Sequence, residues 1–230
     1  MNRSNVVLVT GGTKGIGLAI ANRFANEDGH IVIACARNPP IVGQLDKRVK
    51  FFQCDVGDRN QIKAMAESIN SHHGAVSVLV NNAGKFIPGR IQDESDSIFE
   101  EMMLVNLSSA YYVTKRFLPG MLLKGSGTIF NICSTASISA YSNGGSYAIS
   151  KHALLGFSKC LREETKEQNI RVISLLPGAT CTGSWDGSNI PANRMIPPDD
   201  IASIIVNAYK LSPRTVIEEI IVRPILGDIK

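Results

Sequence analysis

No apolar run in these 230 residues approaches the roughly 18 that a membrane-crossing helix needs. Cysteine is scarce and odd in number. Cys35, Cys54, Cys133, Cys160 and Cys181 include no CxxC spacing, which argues against a disulfide framework and against a zinc or other metal site, and fits a reducing compartment. Charge of one sign is not in excess. Lys and Arg total 24 against 20 Asp and Glu, and the resulting +4 is spread along the chain, so neither nucleic acid nor an anionic membrane is an expected partner. The first five residues lack a signal-peptide pattern and lead straight into Val6-Val7-Leu8-Val9. A cytoplasmic location follows as the expectation, with no glycan on the sequon Asn106-Leu107-Ser108.

What is present is the composition of a packed globular chain, 44% apolar and 19% charged, of a length that suits one domain over 1–230. Short runs rich in Val and Ile, at 6–10, 30–35, 49–54, 76–81, 127–132, 170–176 and 218–222, predict seven strands. Between them, amphipathic stretches near 16–27, 58–72, 96–122, 145–167 and 198–210 predict helices. The strands read as continuous apolar runs, as expected when helices cover both faces of a parallel sheet. The alternation points to right-handed βαβ units in a doubly wound α/β fold. Pro197-Pro198-Asp199-Asp200 reads as a helix start. The loop-rich stretch 178–198 before it is expected to be a substrate lid, with Trp185 and Ile190 as candidate pocket residues.

Thr10-Gly11-Gly12-Thr13-Lys14-Gly15-Ile16-Gly17 follows the first strand and opens a helix. Glycines there allow a tight turn and a close backbone approach to a pyrophosphate, and the helix N-terminus offers free N–H groups to that anion. In many dinucleotide folds the second strand ends in an acid that accepts the ribose 2′-OH. Here it ends in Ala36-Arg37-Asn38. With no acid at 36, Arg37 and Lys14 are candidates to meet a 2′-phosphate.

Together with Asn81-Asn82-Ala83-Gly84 and Tyr147-Ala148-Ile149-Ser150-Lys151, this loop resembles the short-chain dehydrogenase/reductase family, in its compact single-domain branch with a Rossmann-type sheet. Cys54-Asp55-Val56 is similar to the segment where that family contacts adenine. Pro177-Gly178-Ala179-Thr180-Cys181-Thr182 is similar to its Pro-Gly-x-x-x-Thr segment beside the nicotinamide. One departure is Ser77, where the family often has Asp. The resemblance implies a cofactor set of Gly11, Thr13, Lys14, Gly15, Ile16, Gly17, Arg37, Asp55, Val56, Asn82, Ala83, Gly84, Tyr147, Lys151, Pro177, Gly178, Thr180 and Thr182.

Tyr and Lys four apart on a helix share a face, and an ammonium beside a phenol stabilises its anion. Two such pairs occur, Tyr111–Lys115 and Tyr147–Lys151. Tyr111 lies in the apolar run Ala110-Tyr111-Tyr112-Val113, which predicts core packing. Tyr147 follows a turn at the head of a helix, with Ser134 thirteen residues before it, just past a strand. The resemblance assigns proton transfer to Tyr147, the carbonyl hydrogen bond to Ser134, and phenol activation with ribose binding to Lys151. It assigns to Asn106 the positioning of a water, against which stands a buried structural Asn. The expected function is NADP(H)-dependent hydride transfer between nicotinamide and a carbonyl or alcohol carbon, with NADP(H) preferred over NAD(H). A small ketone or aldehyde is the expected substrate. A 3-oxoacyl thioester carried by acyl carrier protein is the alternative, and a dinucleotide-sensing protein without turnover is the alternative of another class. The resemblance also implies a homodimer or homotetramer through the helices at 96–122 and 145–167.

Overall fold

The Val- and Ile-rich runs at the centre of the chain's sheet form strands that are covered on both sides, while the two edge strands are half-buried. In the computed structural model, which describes residues 5–229, β1 (Asn5–Thr10), β2 (His30–Ala36), β3 (Lys50–Gln53), β4 (Val76–Asn81), β5 (Gly127–Ile132), β6 (Ile170–Pro177) and β7 (Glu219–Val222) make one parallel sheet. Its order is β3-β2-β1-β4-β5-β6-β7. Alternate side chains of the central strands enter different cores. Val7 and Val9 meet Ile20 and Phe24 of α1 (Gly15–Ala25) and Ile201 and Ile205 of α6 (Pro198–Lys210). Val6 and Leu8 meet Ile62 and Met65 of α2 (Arg59–His73) and Val113 and Phe117 of α4 (Ser109–Lys124). With Leu161 of α5 (Gly145–Thr165) in the second core, the layers are α1 and α6, the sheet, then α2, α4 and α5. Truncating a fully buried ring such as Phe117 to Ala should cost about 3–5 kcal/mol.

The strand order reverses between β1 and β4, which opens a crevice outside their carboxyl ends. The helix expected over 96–122 is not continuous. It runs as α3 (Asp96–Met103), one π turn over Leu104–Ser108, and then α4. The extra residue of a π turn rotates the chain locally. Here the turn buries Asn106, whose side chain gains three hydrogen bonds to distant groups. Tyr111 is also corrected, because it is 44% exposed and packs against Tyr112 and Phe157 on the outer face of α4, while Ala110 and Val113 face inward. Ser77 accepts a hydrogen bond from the Lys124 ammonium at 3.1 Å, tying α4 to β4. Among the described residues no helix is long and apolar enough to cross a membrane.

Candidate active site

The glycine loop is shaped by contacts that only hydrogen permits at Cα. Gly11 and Gly15 take φ of +64° and +54°. A Cβ on Gly12 would lie 2.7 Å from the Ala34 Cβ, and one on Gly17 would collide with the Gly11 carbonyl and the Asn82 amide. Asn82 is the pin of this arrangement. Its side-chain N–H groups donate to the carbonyls of Thr10 and Gly11, at 2.9 and 3.2 Å. The Thr10 hydroxyl accepts from the backbone N–H of both Asn82 and Ala83, at 3.0 Å each, and donates to Val80 O. Asn82 therefore holds the β1 loop to the β4 turn, and its side chain is spent on protein.

Helix α1 begins with no side-chain cap, and its first internal bond runs from Leu18 N to Lys14 O. The N–H groups of Gly15, Ile16 and Gly17 are therefore left without helical partners, and the loop offers an anion site at the crevice. Lys14 and Arg37 are exposed beside it, after β1 and β2. Arg37 is steadied through its carbonyl, which accepts from Gln53 Nε2 at 3.0 Å. Asp55 is engaged locally: its carboxylate accepts from Gly57 N, and its own N–H donates to Gln61. Thr182 faces Gly15 across the crevice, 3.1 Å from where a Cβ would stand. Next to it, Thr180 bonds Gly178 O and pairs with Ile196, so the stretch 178–198 is fastened near both ends. Thr13 and Thr180 are buried. A groove of about 570 Å³ between 193–197, α6 and 222–226 is lined by none of the predicted site residues.

Around Tyr147 the chemistry-bearing groups converge. Ser134 caps a short turn after β5, its oxygen accepting from Ala136 N at 3.1 Å. That leaves its hydroxyl proton free to donate. Lys151 is 5% exposed, and its ammonium donates to Ile132 O at 2.8 Å and stands 5.9 Å from the Tyr147 ring centre. Burial pulls the Lys151 pKa down to about 8. Burial raises the Tyr147 phenol above its ordinary value, and the Ser134 hydroxyl opposes this. Cys133 is pushed up to about 11 by burial despite the nearby ammonium, which makes it a neutral thiol and no nucleophile. Gly84 admits this packing, since a Cβ there would lie 3.2 Å from Asn106 Oδ1 and 3.6 Å from Lys151 Nζ. Asn106 accepts from Lys85 N and donates to Lys85 O and to Ser150 Oγ, and Ser150 donates to Tyr147 O. By contrast, Tyr111 and Lys115 lie on α4 with none of these groups around them.

The sequence profile of the family described as short chain dehydrogenase matches residues 5–191. The chain belongs to this family. Among its relatives, a sepiapterin reductase of Chlorobaculum tepidum is 30% identical, over 98% of both chains. A putative ketoacyl reductase of Streptomyces coelicolor is 32% identical over 91% of both. The crystal structure of an alcohol dehydrogenase from the archaeon Thermococcus sibiricus, complexed with 5-hydroxy-NADP, aligns with a TM-score of 0.88 at 27% identity over 99% of each chain. The chain is thus an oxidoreductase of the short-chain dehydrogenase family. Of the candidate residues read from its motifs, Gly11, Thr13, Lys14, Arg37, Asp55, Val56, Asn82, Ala83, Gly84, Ser134, Gly178, Thr180 and Thr182 follow strands, Pro177 ends β6, and Gly15, Ile16, Gly17, Asn106, Tyr147 and Lys151 stand on helical turns. Three residues escaped that reading, Phe86, Ser150 and Glu94, while Ser146 reads from the sequence as a helix-start residue and stands in the first turn of α5. Phe86 packs edge-on against Tyr147, with ring centres 4.8 Å apart. Ser150 links Asn106 to the Tyr147 carbonyl. Glu94 and Ser146 join the loop after β4 to the head of α5. Only Ser150 sits within a motif. Glu94 lies in the polar run Asp93-Glu94-Ser95-Asp96, which reads as a solvated loop.

Proposed function

We propose that this short-chain dehydrogenase is an NADP(H)-dependent reductase of a carbonyl group, with Tyr147 as proton donor. The observation that carries the reading is the convergence of Ser134, Tyr147 and Lys151 at the strand ends, with the phenol held protonated by burial. A protonated phenol is the form needed to donate to a carbonyl oxygen. Ser134 donates a hydrogen bond to the same oxygen through its free hydroxyl and keeps its proton, which fixes that oxygen in place. Lys151 keeps one proton on Ile132 O and has two left for ribose hydroxyls, and its charge stabilises the phenolate once the proton has moved. The cofactor, when bound, supplies the hydride. Asn106 works through what it holds, the 84–86 turn and Ser150.

The cradle suits a dinucleotide phosphate. Glycines at 11, 12, 15 and 17, the free N–H groups of α1 and the neighbouring Ile16 and Ala83 receive the pyrophosphate side. Arg37 and Lys14 receive the 2′-phosphate, Asp55 and Val56 flank the adenine, and Pro177, Gly178, Thr180 and Thr182 flank the nicotinamide. The stretch 178–198 is the lid, with Trp185 and Ile190 partly turned inward from an otherwise exposed middle. A small ketone or aldehyde is the substrate, and the ketoacyl reductase relative favours a 3-oxoacyl thioester as the second reading. Assembly is a homodimer or homotetramer over the face that exposes Leu104 and Tyr111; Leu154 and Leu155 are buried and pack inside the subunit.

The test is NADPH oxidation, followed by absorbance, with a panel of ketones, aldehydes and 3-oxoacyl thioesters. Turnover with NADPH well above NADH is expected. Arg37→Ala should weaken NADPH by about ten- to a hundredfold, the value of one charge-assisted contact, while sparing NADH. Equal kcat/KM for the two cofactors in the parent would reject the 2′-phosphate reading. Cofactor binding with no oxidation by any substrate would leave a dinucleotide sensor instead.

A further inference from the structure

Helix α5 starts without the local devices that usually start a helix. Its N-cap, Gly144, has no side chain to accept a backbone N–H, and its first turn carries no acid. The missing acceptor and the missing negative charge both come from a loop 52 residues upstream. The Glu94 carboxylate accepts from Ser146 N at 2.9 and 3.3 Å and from the Ser146 hydroxyl. Glu94 is the one residue of 90–97 to turn inward, since 90–93 and 95–97 are all exposed. The same loop is latched a second time, where Gly89 N donates to Asn143 O at 3.1 Å. Gly145 sits between the latches with φ +38°, and a Cβ there would collide with the Glu94 carboxylate.

The residue after Ser146 is Tyr147. The Phe86 ring, at the other end of the loop, meets the face or edge of that same phenol. The loop 86–94 therefore holds Tyr147 at two points, by its ring through Phe86 and by the preceding residue, Ser146, through Glu94. Lys151, one turn further along, is fixed independently by Ile132 O. If the first turn of α5 frays, the phenol moves while the ammonium stays. We infer that Glu94 is a positioning residue for Tyr147, holding the first turn of α5 so that the phenol keeps its place relative to Lys151 and Ser134. The inference rests on the reading of Tyr147 as proton donor.

The experiment compares the parent with Glu94→Ala and Glu94→Gln, the latter keeping one oxygen acceptor without the charge. Active sites are counted by NADPH fluorescence titration, turnover is expressed per site, and amide hydrogen exchange is followed in the peptide 145–149. Glu94→Ala should lose about tenfold in kcat per site and Glu94→Gln about threefold, with KM for NADPH unchanged and exchange faster in both. A role in stability alone would lower the number of NADPH sites and leave turnover per site intact, and that result would overturn the inference. So would unchanged exchange at 145–149. If Glu94→Ala fails to fold, Glu94→Gln gives the same decision. If the parent oxidises NADPH with no carbonyl tested, the Tyr147 reading fails by itself, and the exchange comparison still decides whether Glu94 holds the turn.

Discussion

Helices α4 and α5 carry the same pair with the same spacing. Lys115 Nζ stands 6.0 Å from the Tyr111 ring centre, and Lys151 Nζ stands 5.9 Å from that of Tyr147. The helix delivers this local geometry in both places, as any i, i+4 pair would have it. The surroundings differ completely. Tyr111 is 44% exposed on an outer face, with Tyr112 and Phe157 as neighbours. Tyr147 adjoins Ser134, and its lysine is buried, tied to Ile132 O and lowered to about 8. Spacing makes a pair; burial and a strand end set its chemistry apart.

The largest effect that can break this contrast is loss of the phenol oxygen. Tyr147→Phe should lower kcat by about 10²–10⁴-fold, the usual worth of a general acid, with NADPH binding near normal. Tyr111→Phe should leave kcat unchanged. The reverse order in steady-state rates would exchange the roles of the two helices.

A second effect concerns stability. Burial lowers the Lys151 pKa from 10.5 to about 8, so between those values the unfolded chain binds more protons than the folded one. Stability of the cofactor-free protein therefore rises with pH across that window, and below it the buried charge costs at most about 3 kcal/mol. Lys151→Met should accordingly stabilise most near pH 7, with the gain fading as pH climbs to 10.5. Urea unfolding at both pH values measures it. A gain that is equal at both would show that the charge is not the cause. Lys115→Met, on the exposed pair, should change stability by less than about 0.5 kcal/mol at either pH.

The smallest effect on chemistry is expected where the α4 pair lies. Tyr111→Glu should leave turnover per site intact and reduce the mass seen by light scattering, if Leu104 and Tyr111 face a second copy. A parent that is already monomeric at micromolar concentration would remove that use for the exposed face.

How much of this was legible in the sequence depended on whether the signal was local. The central strands, buried on both faces, announce themselves as apolar runs, and all seven predicted strands appear, including the half-exposed edges β3 and β7. Glycine loops and the Tyr-x-x-x-Lys helix carry their meaning in spacing, and the residues read from them reach one edge of the sheet. The π turn at 104–108 was not legible, because its gain lies in Asn106 bonds to Lys85 and Ser150, far off in the chain. Tyr111 was misjudged because an apolar run on a helix does not say which of its members faces out. Glu94 was invisible for the same reason in reverse: a carboxylate among polar neighbours gains its role only from the helix head it meets. Asn81 and Asn131 sit buried in β4 and β5, joined to each other, Thr114 and Ser158. A polar residue inside an apolar strand is the one such signal a sequence reading can use.

The Thr10 hydroxyl has a mechanical consequence. It takes two N–H donors from the β4 turn and gives its proton to Val80 O, so a single oxygen rivets the two strands that border the crevice. Asn82 adds two further rivets from the opposite side. Five hydrogen bonds thus tie the two strands together at the floor of the crevice. The stretch 178–198 is built differently, tied near its ends by the Thr180–Ile196 pairing and mostly exposed between them.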